Sequence, residues 1–170
     1  MSTLPDADCA AQINAALLTY CRGVDRLDEA ALLAAFHPGA MLEGYAAKAY
    51  PVERFAPFAM SSLAATYRAT QHRITNAAIE QHGDKARVET YVQAFHVQEA
   101  PRQLVVFCGR YIDDFERIDG RWAIRTRRLR RDWDAVQPLE GTMSDQFIDS
   151  ARDQHHQRIS TIQRQEAGAR

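Results

Sequence analysis

The chain has 170 residues, 46% of them hydrophobic, enough to bury the core of a single domain. Its 21 Lys plus Arg balance 22 Asp plus Glu to a formal charge of -1, so no global basic field draws nucleic acid or an anionic membrane, and a small molecule or a protein is the expected partner. Cys9, Cys21 and Cys108 show no CxxC or CxxH spacing, which argues against a disulfide framework or structural zinc and fits a reducing cytoplasm; the first ten residues carry no apolar core of a leader, so a soluble, cytoplasmic protein is expected.

In chain order, a helix is predicted from about Asp6 to Val24, with Ile13, Leu17, Tyr20 and Val24 at helical spacing. Asp25 follows at the margin of that apolar stripe, where a carboxylate needs a reason. Asp28 reads as the N-cap of a short helix from Glu29 to Phe36 that buries Leu32, Leu33 and Phe36, and His37-Pro38-Gly39 ends it. Residues 40–45 suit a short strand, and Tyr50-Pro51 opens a third helix over Val52 to Tyr67, packing through Phe55, Phe58, Ala59, Leu63 and Tyr67.

From Thr70 the pattern changes to period two, with extended runs at about 70–82, 85–98, 103–118 and 121–134. His82-Gly83-Asp84 and Asp119-Gly120 supply the turn residues of tight hairpins, so neighbouring strands are antiparallel. Strands this long require a sheet that curls and carries bulges. Helices held on the concave side of such a sheet make a cone with a pocket, an α+β architecture over residues 1–138. Residues 139–170 form a tail, read as a polar helix over 142–163 with Met143, Phe147, Ile148 and Ile159 as sparse anchors on the domain or a neighbouring subunit.

The candidate chemistry follows from strand parity. Thr70, His72, Ile74, Asn76 and Ala78 share one face; if that face is concave, His72 points into the pocket toward Asp25. A carboxylate accepting from one imidazole nitrogen fixes the tautomer and makes the other a general base near neutral pH. The competing reading makes His72 a satisfied core histidine and Asp25 a turn cap. No GxGxxG, GxxxxGK[ST], HExxH or GxSxG motif is present, so neither cofactor nor metal is expected. Tyr20, five residues before Asp25, is either a proton donor flanking the pocket or a core aromatic. His96, on the even face with Val88, Thr90, Val92 and Ala94, is either a pocket residue or a solvent-facing strand end. Five of the seven residues from Arg125 to Arg131 are arginine; parity with Trp122 and Ile124 turns Arg128 inward, and one bulge would substitute Arg127. Val24, Phe55, Phe58, Leu63, Tyr67 and Trp122 are the expected hydrophobic lining.

The order and spacing of Tyr20-x-Arg22-Gly23-x-Asp25-x-x-Asp28, Phe36-His37-Pro38, Thr70-x-His72-x-Ile74-x-Asn76, Gly83-Asp84-x-Ala86, Gly109-Arg110-Tyr111-x-Asp113 and Asp119-Gly120-x-Trp122-x-Ile124 resemble the SnoaL-like branch of the NTF2-like, or scytalone dehydratase-like, superfamily. That resemblance implies the cone fold, a catalytic pair formed by Asp25 and His72, and a tyrosine in the place of Tyr20 as in bile-acid dehydratases. It also implies a second pocket histidine on the strand of His96 and an inward arginine late in the last strand, here Arg128 or Arg127. Gly39 departs from the aspartate of many relatives, so no role is carried over to that loop. The implied activity is a cofactor-independent lyase, dehydratase-like, acting on a hydrophobic cyclic or aromatic small molecule. Isomerisation, retro-aldol release of formaldehyde, and a non-catalytic β-subunit of a ring-hydroxylating dioxygenase are the alternatives. A cone exposes its convex face, and a homo-oligomer, trimer or dimer, is expected.

Overall fold

A computed structural model describes residues 5–140. The order is α1 (Ala7–Arg26), α2 (Glu29–Ala34), β1 (Phe36–Glu43), β2 (Tyr50–Pro51), α3 (Val52–Thr66), β3 (Ala69–His82), β4 (Lys85–Glu99), β5 (Arg102–Ile118) and β6 (Arg121–Pro138). The expected tail helix over 142–163 lies outside the described residues. Among the described residues no helix is long and apolar enough to cross a membrane.

Local chemistry sets the helix ends. Asp6 accepts from the Cys9 backbone N–H at 2.7 Å and caps α1; Asp28 accepts from the Ala31 N–H at 3.0 Å and caps α2. Each cap satisfies a donor that the helix leaves orphaned and contributes about 1 kcal/mol. Gly23 is required where α1 meets α2, because a Cβ there would sit 2.5 Å from the backbone nitrogen of Leu32. The expected stripe of Ile13, Leu17, Tyr20 and Val24 is buried, as is Leu32.

The six strands form one mainly antiparallel sheet in the order β2-β1-β6-β5-β4-β3, with β1 parallel to β6. Pairing with β6 explains why the second helix stops at Ala34 and Phe36 already lies in β1, earlier than the expected strand at 40–45. His37-Pro38-Gly39 is therefore strand and not a helix terminus, and the buried His37 Nε2 bonds the Glu116 carbonyl at 2.9 Å. One face carries α1 and α3 over a core that includes Val88, Val92, Tyr111, Phe115 and Ile124.

Two bulges decide which residues face that core. On β3 the pairing passes from Ile74↔Val92 to Ala77↔Thr90, which inserts one extra residue. The inward row, even-numbered through Ile74, becomes odd-numbered, and Asn76 is exposed at the bulge instead of lining the pocket. On β6 the pairing passes from Ile124↔Phe115 to Thr126↔Asp114, and Arg125 is the extra residue. Arg127, Leu129 and Arg131 then share the inward row with Asp113, Tyr111 and Gly109. Arg128 faces outward and bonds Asp114 at 2.7 Å and Glu43 at 3.1 Å, so of the two expected candidates Arg127 is the inward one.

Candidate active site

Asp25 occupies the last turn of α1, and His72 lies on β3, 47 residues later, where the sheet presents its inner face to the helix. One carboxylate oxygen lies 2.7 Å from His72 Nδ1 and the other accepts the His72 backbone N–H at 2.8 Å. This two-point grip fixes the ring relative to its own backbone. A carboxylate against Nδ1 makes that nitrogen the protonated one, leaving Nε2 as the acceptor. Both side chains are largely removed from solvent, at 9% exposure for His72 and 16% for Asp25.

His72 forms part of the wall of a cavity of about 280 Å³. Val24, Phe55, Ala59 and Leu63 give one apolar wall, Ala94, Phe107 and Leu129 the sheet wall, and Tyr20, Tyr45, Tyr50 and Tyr111 an aromatic side. Phe58 belongs to the lining but is 67% exposed, which places it at the mouth. Tyr67 is not part of the wall; its ring packs on His96 with centroids 4.7 Å apart and braces it from behind. Trp122, expected in the lining, lies in the core away from the cavity, with the Arg117 guanidinium 5.6 Å above its ring and the Gln12 side chain on its backbone N–H.

His96 does line the cavity, edge-on to His72 with ring centroids 5.6 Å apart. Burial first and the neighbouring His72 second push its pKa down to about 4, so it is neutral near pH 7. Its buried Nδ1 has no protein hydrogen-bond partner among the described residues.

The aromatic side of the cavity rests on a buried ion pair. Arg127 and Asp113 are both fully buried and joined by two parallel bonds, Nε to Oδ1 at 2.9 Å and Nη2 to Oδ2 at 2.7 Å. The guanidinium lies 4.2 Å from the Tyr20 ring centroid and 3.9 Å from that of Tyr111. Burial opposes its charge, and Asp113 more than offsets burial, so Arg127 stays protonated. The Tyr20 hydroxyl lies 3.3 Å from that of Tyr45. Burial raises the pKa of Tyr20, with Arg127 pulling it partly back, which keeps the phenol as a donor at neutral pH. Arg127 thus reaches the cavity only through the rings it supports.

Of the expected residues, the fold brings together Asp25, His72, Tyr20, Val24, Phe55, Leu63 and His96, with Phe58 at the rim. It separates Asn76, Trp122 and Arg128 from them and sets Tyr67 and Arg127 one layer back. Sequence reasoning missed Tyr45, Phe107, Tyr111 and Arg131. Tyr111 shares strand parity with Asp113 and Phe115 and was open to detection, whereas Tyr45 lies between β1 and β2, where no periodicity marks it. Among the described residues no three His, Cys, Asp or Glu side chains converge as metal ligands would.

The chain matches the SnoaL-like domain over residues 6–128 and belongs to that family. Its fold is shared with a hexachlorocyclohexane dehydrochlorinase, LinA type 2, at a TM-score of 0.73 and 21% identity, covering 82% of this chain and 98% of the other. The LinA-type3 dehydrochlorinase of Novosphingobium barchaimii LL02 gives 0.71 and 19%, covering 82% and 99%. A candidate scytalone dehydratase of Novosphingobium aromaticivorans DSM 12444 gives 0.68 and 19%, covering 78% and 90%. No curated protein matches by sequence. At these identities the structures establish the scytalone dehydratase-like, NTF2-like fold.

Proposed function

We propose that the protein is a cofactor-independent lyase that eliminates water from a hydrophobic cyclic or aromatic small molecule. The observation that carries this reading is the double grip of Asp25 on the ring and the backbone of His72, at the wall of an aromatic cavity. With Nδ1–H held by Asp25, His72 Nε2 removes a proton from substrate carbon. The carbon–hydrogen electron pair is held first as a stabilised carbanion and then forms the new double bond as the carbon–oxygen bond breaks, and the departing hydroxide takes the Tyr20 phenolic proton to leave as water. Proton return from the His72 imidazolium to the Tyr20 oxygen restores both groups. Asp25 stabilises the imidazolium at 2.7 Å, and the Arg127 charge below the Tyr20 ring stabilises the transient phenolate.

Magnitudes favour this division of labour. A positioned general base contributes roughly 10²–10⁴ in rate, and a fixed cation near a developing oxyanion adds a term of similar order without reorganising. The elimination reading also draws support from the fold shared with the dehydrochlorinases and the scytalone dehydratase candidate. An apolar cavity of ~150 Å³ holds benzene, so about 280 Å³ suits one or two fused rings, with anything larger projecting through the mouth.

The test is a panel of hydroxylated one- and two-ring compounds with products detected by mass. Loss of the mass of water in the wild type, abolished in His72→Ala, is the expected result. Loss of formaldehyde would replace elimination by retro-aldol cleavage, an unchanged mass with altered retention would indicate isomerisation, and ligand binding without any product would remove the catalytic reading.

A further inference from the structure

Among the described residues that line the cavity, Arg131 alone carries a permanent charge. The Arg125 bulge places it there, since the inward row of β6 after that bulge runs Arg127, Leu129, Arg131. A second extra residue, Asp132, follows immediately, and its carboxylate takes Arg110 on the outer face through bonds of 3.0, 3.1 and 3.3 Å. That fork locks the second bulge and with it the boundary at which Arg131 is the last inward side chain before Trp133 turns outward. Opposite Arg131 stands Gly109, whose missing Cβ admits the Phe107 ring: a Cβ there would lie 2.7 Å from Phe107 Cζ. The Phe107 ring forms cavity wall, and the Arg131 guanidinium lies 5.8 Å from its centroid. Among the described residues Arg131 is weakly committed elsewhere. Its carboxylate contact is with Asp134 at 3.7 Å, against 2.7 Å for Arg127 and Arg128.

From this arrangement we infer that the substrate is a ring compound bearing a carboxylate, which Arg131 receives at the mouth while the ring lies inward on Phe107 toward His72. The inference rests on the reading of this cavity as the substrate site and adds the chemical class. A planar guanidinium fork matches a carboxylate in two hydrogen bonds. Asp134 beside it disfavours a dianion, so a carboxylate is preferred over a phosphate ester. Because Arg131 is 67% exposed, solvent screens the contact and its effect is that of an exposed ion pair, about fivefold in affinity.

The probes are 2-naphthoate, 2-naphthamide and 2-naphthyl phosphate, titrated by calorimetry into wild type, Arg131→Gln and Arg131→Glu. Naphthoate is expected to bind the wild type about fivefold more tightly than the amide, with the margin shrinking in high salt, and no more weakly than the phosphate. Arg131→Gln removes the preference for the acid, and Arg131→Glu inverts it. Equal affinities in the wild type, binding of neither ring, a preference that survives Arg131→Gln, or tighter binding of the phosphate overturns the inference. Calorimetry reads the preference without turnover, so a failed elimination reading shows as intact discrimination in the wild type with no product by mass and is separable from a failure here.

Discussion

Replacing Asp25 by Asn is nearly isosteric yet reverses the hydrogen bonding of His72. The backbone N–H of His72 sits 2.8 Å from Oδ2 and requires an acceptor. The single Asn oxygen must remain there, which puts the amide NH2 against Nδ1, 2.7 Å away in the native pair. Two donors cannot share that contact, so the ring takes the other tautomer, with Nδ1 accepting and the proton on Nε2. The base is then blocked at the atom that needs to be free. Loss of the correct tautomer together with the imidazolium's counter-charge predicts a fall in kcat of about 10³–10⁴, with KM changed less than threefold because Asp25 sits behind His72 rather than against the ligand. Steady-state turnover of the compound identified by mass measures the rate, and nitrogen-15 shifts of His72 report the tautomer without any substrate. A fall below tenfold alongside a switched tautomer would refute the argument.

Tyr20→Phe is expected to lower kcat by about 10²-fold while the fold persists, since the ring stays over Arg127 and the hydroxyl alone is lost; unchanged kcat would remove Tyr20 from proton donation. Arg127→Met leaves the Asp113 carboxylate buried without its partner and should cost about 3–5 kcal/mol, a drop in Tm on the order of 10 °C, whereas Arg127→Met with Asp113→Leu regains most of it in thermal unfolding. For His96 the unfolded imidazole binds its proton below about pH 6.5 and the native one only near 4, so its contribution to native stability falls as pH drops through that interval, by roughly 3 kcal/mol in total, and is constant above pH 7. Denaturant titrations of the wild type and His96→Phe at several pH values check this, with the variant losing that part of the slope. Asp28→Ala, which strips the α2 cap at Ala31, should cost about 1 kcal/mol in the same assay and leave kcat unchanged.

Much of the fold was legible because periodicity reports burial. The stripe of Ile13, Leu17, Tyr20 and Val24 has one helical solution, and the even positions of β4 are inward as alternation requires. Asp25 and His72 were legible together, one as a carboxylate at the edge of that stripe and the other on the strand face opposite, before the first bulge. Parity failed where an extra residue entered a strand. Alternation puts Asn76 and Arg128 on the row that holds upstream of a bulge, but Asn76 lies within one and Arg128 beyond one. Nothing in a single sequence marks that insertion. Trp122 failed for a different reason: it does face the core, but at the α1 end beside Gln12, and a cone has core and cavity on one face. The polar underside of the site, Arg127 with Asp113, is a pairing across β5 and β6 whose register depends on the same bulge. Tyr45 joins the site through a segment with no periodic signal.

The most direct test of the account is proton exchange at substrate carbon in D2O. In Tyr20→Phe, where departure of the leaving group is slowed, His72 should still remove and return the proton, so recovered substrate gains one mass unit by mass spectrometry. Adding His72→Ala or Asp25→Asn to that background is predicted to abolish the gain. Deuterium entering at the same rate in the Tyr20→Phe/His72→Ala protein would contradict the assignment of His72 as the base and, with it, the Asp25–His72 pair as the catalytic centre.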